Sequence, residues 1–213
     1  MKLQIAMDTL CGAEVLRLLE RVHDVVDIVE IGTPLILREG LAPVRAVKER
    51  YPELTVLADT KIVDGGRLEC GDAVAAGADI VTVLAAADDA TIQDVIATAH
   101  EKSRLVMADL IGRADIAKRA EELHALNADF ICVHTGVDAQ KSGRTPLGDL
   151  KTLVAAIPPE RAAVAGGVSP ASVRQYAALQ PGIIIAGGAL TGAQDPRAAA
   201  AAMRTVLKEE EHA

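Results

Sequence analysis

The residues that could do chemistry sit where short apolar runs end. In the stretch LADTKIVD, residues 57–64, Asp59, Lys61 and Asp64 follow the last of a run of apolar residues. If residues 54–61 form a strand, its side chains alternate between two faces, so Asp59 and Lys61 share one. Asp64 comes just beyond, where Gly65 and Gly66 turn the chain. Two acids and a base meeting at one strand end are expensive to bury unless they pair, bind a metal or meet a ligand. A structural ion pair would use the same residues.

Other apolar runs end in the same way. Asp8 closes LQIAMD, Glu30 lies near the end of VDIVEI, Asp109 closes RLVMAD, and His134 closes DFICVH. Glu30 and Asp59, on adjacent strands, suit Mg²⁺, which takes few protein carboxylates and keeps part of its water; neutralising Lys61 is their other role. Asp59, Asp64 and Asp8 are candidate neighbours of Lys61 and would keep it protonated. That disfavours a Schiff base and favours stabilisation of an oxyanion. His134 suits general acid–base work near neutral pH, or a structural hydrogen bond. His23, His100, His124 and His212 fall on helices or the tail. Gly166-Gly167 and Gly187-Gly188 follow two further apolar runs, and could be phosphate-binding loops or plain turns. Together these residues describe a metal-assisted enzyme acting on a phosphorylated, carbonyl-bearing metabolite. A divalent ion and Lys61 would stabilise an enediolate, and His134 would move the proton.

Strands are expected at 3–8, 26–31, 54–59, 79–84, 104–109, 129–134, 161–165 and 182–186, each followed by helical spacing. A helix over about 40–50 follows the second strand. Thr145-Pro146, Ser169-Pro170 and Asp195-Pro196 read as N-caps followed by a first helical residue. Eight strands and eight helices in strict alternation imply a parallel sheet. The expectation is one (β/α)8 barrel domain over residues 1–213. A doubly wound sheet would carry its glycine fingerprint after the first strand; here that strand ends in Asp8, with only Gly12 nearby. The paired glycines follow strands seven and eight, where barrels commonly hold phosphate. Segment 140–146 could be a mobile lid or a passive loop.

Composition narrows the partners. Half the residues are hydrophobic, aromatics are 1%, and the formal charge is −8. The core must be aliphatic, and neither base stacking nor a polyanion-binding surface is supported, so no nucleic-acid partner is expected. Cys11, Cys70 and Cys132 lack a CxxC pattern and are expected to be small buried hydrophobes. MKLQIAMD lacks the long apolar core of a signal peptide, and no apolar run reaches membrane-spanning length, so a cytoplasmic protein without membrane contact is expected.

The DxKxxD element, Asp59-Lys61-Asp64, resembles the signature of the orotidine 5′-monophosphate decarboxylase suprafamily. KLQIAMD, VDIVEIGTPLILREG, LADTKIVDGG, AGADIVTVL, CVHTGVDAQ, AVAGGV and IAGGA resemble the 3-hexulose-6-phosphate synthase family over nearly the whole chain. The resemblance implies a homodimeric, Mg²⁺-dependent aldehyde-lyase that condenses formaldehyde with D-ribulose 5-phosphate in the ribulose monophosphate pathway. It implies Glu30 and Asp59 as metal ligands, Lys61 at the enediolate oxygens and Asp8 holding Lys61. Asp64 would reach into the partner's site, and His134 would be the acid–base. Gly166, Gly167, Gly187 and Gly188 would line the phosphate site. The related 3-keto-L-gulonate 6-phosphate decarboxylases carry an arginine where this chain has Val137, a glutamate at Asp109, and Gly-Arg at Gly187-Gly188. All three differences favour the synthase. A catalytically silent sugar-phosphate sensor is a third reading.

Overall fold

The structure is a computed structural model describing residues 1–212. The apolar runs become β1 (Lys2–Met7), β2 (Ile28–Ile31), β3 (Thr55–Ile62), β4 (Ile80–Leu84), β5 (Leu105–Asp109), β6 (Phe130–His134), β7 (Ala162–Ala165) and β8 (Ile183–Ala186). Each pairs in parallel with the next, and β8 pairs with β1, so the sheet closes into a (β/α)8 barrel. Strand alternation splits the core in two. Ile5, Val29, Val56, Val81, Val106, Ile131, Val164 and Ile184 pack in one cluster with the surrounding helices. Ile28, Leu57, Ile80, Met107, Cys132, Ala163 and Ile183 form a separate cluster inside the barrel. Fully burying such an aliphatic side chain contributes roughly 1.5–3 kcal/mol.

The helices hold the barrel by apolar stripes. Helix Gly12–Val22 buries Val15, Leu18, Leu19 and Val22, three to four residues apart. Its N-terminus carries a capping box between Cys11 and Glu14. Cys11 is exposed, against expectation, because it lies in the loop that starts this helix; Cys70 and Cys132 are buried as expected. Asp195 caps the last helix as anticipated, accepting from the amides of Arg197 and Ala198.

Strict alternation is the part of the expectation that fails. Eleven helices occur among the described residues. Three short ones, Thr33–Glu39, Val137–Gln140 and Gly188–Thr191, are inserted after β2, β6 and β8. Where one helix was expected over 40–50, Thr33–Glu39 ends at Gly40, whose φ of 61° stops it, and Ala42–Arg50 follows. Pro146 rather than Thr145 occupies the N-cap of Leu147–Ala156. The helix expected from Ser169-Pro170 begins at Val173, with Ser172 at its N-cap. The Ser172 hydroxyl instead accepts from the Ser169 amide at 3.0 Å, closing a turn ahead of the helix.

Gly182, just before β8, packs directly on the preceding connection: a Cβ there would lie 2.0 Å from the Glu160 carbonyl oxygen. Gly182→Ala is therefore expected to lose about 1–3 kcal/mol of unfolding free energy in urea titration. It lies at the strand-start end of the barrel, so turnover should be unchanged.

Candidate active site

The site is built by the inward-facing positions of the strands. Counting by two, β2 presents Ile28 then Glu30, β3 Leu57 then Asp59, β5 Met107 then Asp109, and β6 Cys132 then His134. The first residue of each pair belongs to the inner apolar cluster, and the second is an ionisable group at the C-terminal end. The cavity there is lined by Gln4, Glu30, Asp59, Lys61, Thr82, Asp109 and His134, over a floor that includes Leu57, Met107 and Cys132.

Lys61 sits at the centre. Its Nζ is 2.5 Å from Asp59 Oδ2 and 3.5 Å from Asp109 Oδ2. Burial works against its ammonium, but Asp59, Asp109 and Glu30 outweigh burial and raise its pKa well above the ordinary lysine value. Simple alternation does not place it there. The β3–β4 register shifts between Ala58 and Ile62, and Lys61 adopts a φ of +49°, an uncommon value for a side-chain-bearing residue. The Thr82 hydroxyl holds this bulge. It accepts from the Lys61 amide at 2.9 Å and donates to Asp59 Oδ1 at 2.9 Å. Thr33, at the start of the unexpected helix, donates through Oγ1 to Asp59 Oδ2 at 2.8 Å. Burial opposes the Asp59 charge; Lys61, Thr33 and Thr82 more than offset it and hold its pKa below the usual carboxylate value.

Asp109 joins the lysine to the histidine. Its Oδ2 lies 3.0 Å from His134 Nδ1, and its Oδ1 accepts from the Ile111 amide at 2.9 Å. An ionised carboxylate only accepts, so Nδ1 carries the proton and Nε2 is left as a base.

The remaining expected residues separate. Asp8 has its pKa raised by burial and by Asp59. Among the described residues it makes no ion pair with Lys61: Asp59 and Asp109 hold the ammonium instead. Asp64 is exposed and accepts from the Gly65 amide at 2.7 Å, so it is not a neighbour of Lys61 within this chain. It lies two residues beyond the end of β3. Gly166 needs its missing side chain: a Cβ would lie 2.3 Å from the Thr135 carbonyl oxygen, and its φ is +106°. Gly187 packs beside Ala6 and Asp8, and Gly188 opens the helix Gly188–Thr191 toward free space. The first amides of such a helix have no partner within it. Segment 140–146 is tied at one end, where Gln140 Nε2 donates to the Thr135 carbonyl at 2.8 Å. Gln4, Thr33 and Thr82 were not assigned roles from sequence. Gln4 and Thr82 carry a signal there, each as a polar residue inside an apolar run, LQIAM and IVTVL.

No cluster of three or more His, Cys, Asp or Glu side chains forms a metal cage among the described residues. Two carboxylates are nevertheless suitable donors for Mg²⁺, which prefers hard oxygen ligands and retains waters. Glu30 is buried and faces Asp59 without a cationic partner within 4.0 Å. Burial and Asp59 push its pKa well above the ordinary value. The donor set fits a divalent cation.

Comparison with known proteins gives the family. The family model "Orotidine 5'-phosphate decarboxylase / HUMPS family" matches residues 1–203. The chain belongs to this family. It is 41% identical over 208 residues to the 3-hexulose-6-phosphate synthase of Staphylococcus haemolyticus, covering 98% of this chain and 99% of that one. The crystal structure of 3-hexulose-6-phosphate synthase from Salmonella typhimurium superposes with a TM-score of 0.96 at 44% identity, covering 99% of this chain and 100% of that one. The 3-keto-L-gulonate-6-phosphate decarboxylase of Vibrio cholerae has a TM-score of 0.84 at 28% identity, covering 98% of this chain and 97% of that one.

Glu30 gives a signed prediction. Its raised pKa means that the ionised form is disfavoured in the folded state. That penalty is absent below the ordinary value near 4.5 and grows as pH rises through the folded value. Without divalent cations, Glu30→Gln should raise Tm at pH 8. The gain should vanish by about pH 4. Mg²⁺ should raise the Tm of the wild type and not of the variant.

Proposed function

We propose that this lyase is a 3-hexulose-6-phosphate synthase, joining formaldehyde to D-ribulose 5-phosphate to give D-arabino-hex-3-ulose 6-phosphate. The observation that carries the reading is the Lys61 ammonium shared by Asp59 and Asp109, with His134 on that same Asp109. It puts a fixed positive charge and a proton acceptor at one mouth. The names of the relatives at 41% and 44% identity support the choice of substrates.

In this reading the glycine loops after β7 and β8 bind the sugar phosphate by backbone amides. His134 Nε2 takes the proton from C1, leaving an enediolate across C1 and C2. The Lys61 ammonium donates to the enediolate oxygens as their charge grows. C1 then attacks the formaldehyde carbon. One carbon–carbon bond forms, the carbonyl π pair becomes an alkoxide, and His134 returns the proton to it. Glu30 and Asp59 would hold Mg²⁺, which when bound supplies Lewis-acid stabilisation of the same developing charge. Asp8, beside Asp59, adds to the negative rim that favours a cation. The protein acts as a cytoplasmic homodimer in formaldehyde fixation, and Asp64 completes the partner's site.

A coupled assay with ribulose 5-phosphate, formaldehyde and Mg²⁺ tests this reading. Formaldehyde consumption should depend on Mg²⁺ and be lost on chelation. Faster CO₂ release from 3-keto-L-gulonate 6-phosphate would reassign the protein to the decarboxylases. Lys61→Ala is expected to lower kcat/KM at least about 10³-fold while the circular dichroism spectrum is kept. Lys61→Ala and Asp64→Ala homodimers should both be inactive. Mixing them should restore one working site per heterodimer, and no recovery would remove Asp64 from the shared-site role.

A further inference from the structure

Gln4 is fully buried on the inward face of β1, where every second position runs Gln4, Ala6, Asp8. Ala6 is the register partner of Glu30 and has no long side chain to offer it. Gln4, one inward position deeper, reaches up instead. Its Nε2 donates to Glu30 Oε2 at 2.6 Å. The ionised carboxylate that a cation would require can only accept, so this contact sets the amide orientation and turns Oε1 away. Gln4 Oε1 is buried and has no hydrogen-bond partner. Gln4 lines the same cavity as Glu30, Asp59 and Lys61.

A glutamine that merely filled the barrel would be replaceable by a methionine of similar shape, and the neighbouring inward positions are indeed apolar. An amide with one end on a buried carboxylate and the other without a donor has a different use. We propose that Gln4 is a positioning residue for a divalent cation: its Nε2 fixes the Glu30 carboxylate, and its Oε1 accepts from a water that enters with the hydrated ion. This rests on reading Glu30 as a ligand of that ion. Buried groups that orient metal ligands typically change affinity when removed, by about 10–100-fold.

Gln4→Met tests it, with Mn²⁺ binding followed by electron paramagnetic resonance in the absence of substrate. Mn²⁺ accepts the same oxygen donors. The Mn²⁺ Kd is expected to rise about 10–100-fold. The Mg²⁺ concentration for half-maximal turnover should rise in parallel, while kcat at saturating Mg²⁺ changes much less. Gln4→Asn, one methylene too short to reach Glu30, should show the same weakened binding and carries the test if Gln4→Met does not fold. Wild-type Mn²⁺ affinity in a folded variant would overturn the proposal while leaving the cation site intact. Failure of the wild type to bind Mn²⁺ would overturn the cation reading, and this proposal with it.

Discussion

One ammonium holds together a site that would otherwise repel itself. Asp8, Glu30, Asp59 and Asp109 converge on the barrel mouth, and Lys61 is the lysine among them. Carboxylates this buried are unfavourable unless paired or hydrogen-bonded. Lys61 answers Asp59 and Asp109 directly, the threonines at 33 and 82 take up the remaining demand of Asp59, and Glu30 is left with Gln4 alone. The distribution is uneven, and the proposed cation site follows from that unevenness. The carboxylate without a counter-charge is the one best placed to take a cation.

The barrel exists to hold that imbalance in place. Its outer apolar layer binds strands to helices, and its inner layer plugs the lumen beneath the charged groups. The plug keeps water from reaching the site from below and lowers the local dielectric, which strengthens every charge interaction above it. Several departures from regular geometry lie at the rim. The bulge in β3, the positive φ of Lys61 and the inserted helix that brings Thr33 to Asp59 all lie there. Local strain at a functional mouth is tolerated because the surrounding sheet over-determines it.

Much of this was legible in the chain. Each inward position near a strand's C-terminal end follows from period-two alternation, so Glu30, Asp59, Asp109 and His134 could be grouped from their places in apolar runs. The paired glycines after the last two strands were equally readable. Lys61 reached the expected place for a different reason: the bulge, and not alternation, sets its backbone. Spacing groups Asp64 with Lys61, but Asp64 falls beyond the end of β3, is exposed, and takes up the Gly65 amide instead. Thr33 is not legible as a partner of Asp59: Thr33-Pro34 carries the same helix-start signal as Thr145-Pro146, but no local pattern says which side chain its hydroxyl meets. Gln4 is marked in the sequence only as a polar residue in an apolar strand, a mismatch that does not name its partner.

The sequence by itself determined the barrel, its strand order and the residues at its mouth. Those follow from apolar periodicity and from closure of a parallel sheet, both properties of local pattern repeated eight times. Only the tertiary structure decided the partners. Asp109 rather than Asp8 shares Lys61 with Asp59, His134 leans on Asp109, and Gln4 attends Glu30. Such pairings depend on strand stagger and on a two-residue register shift, which move side chains by several ångströms without leaving a mark in composition or spacing.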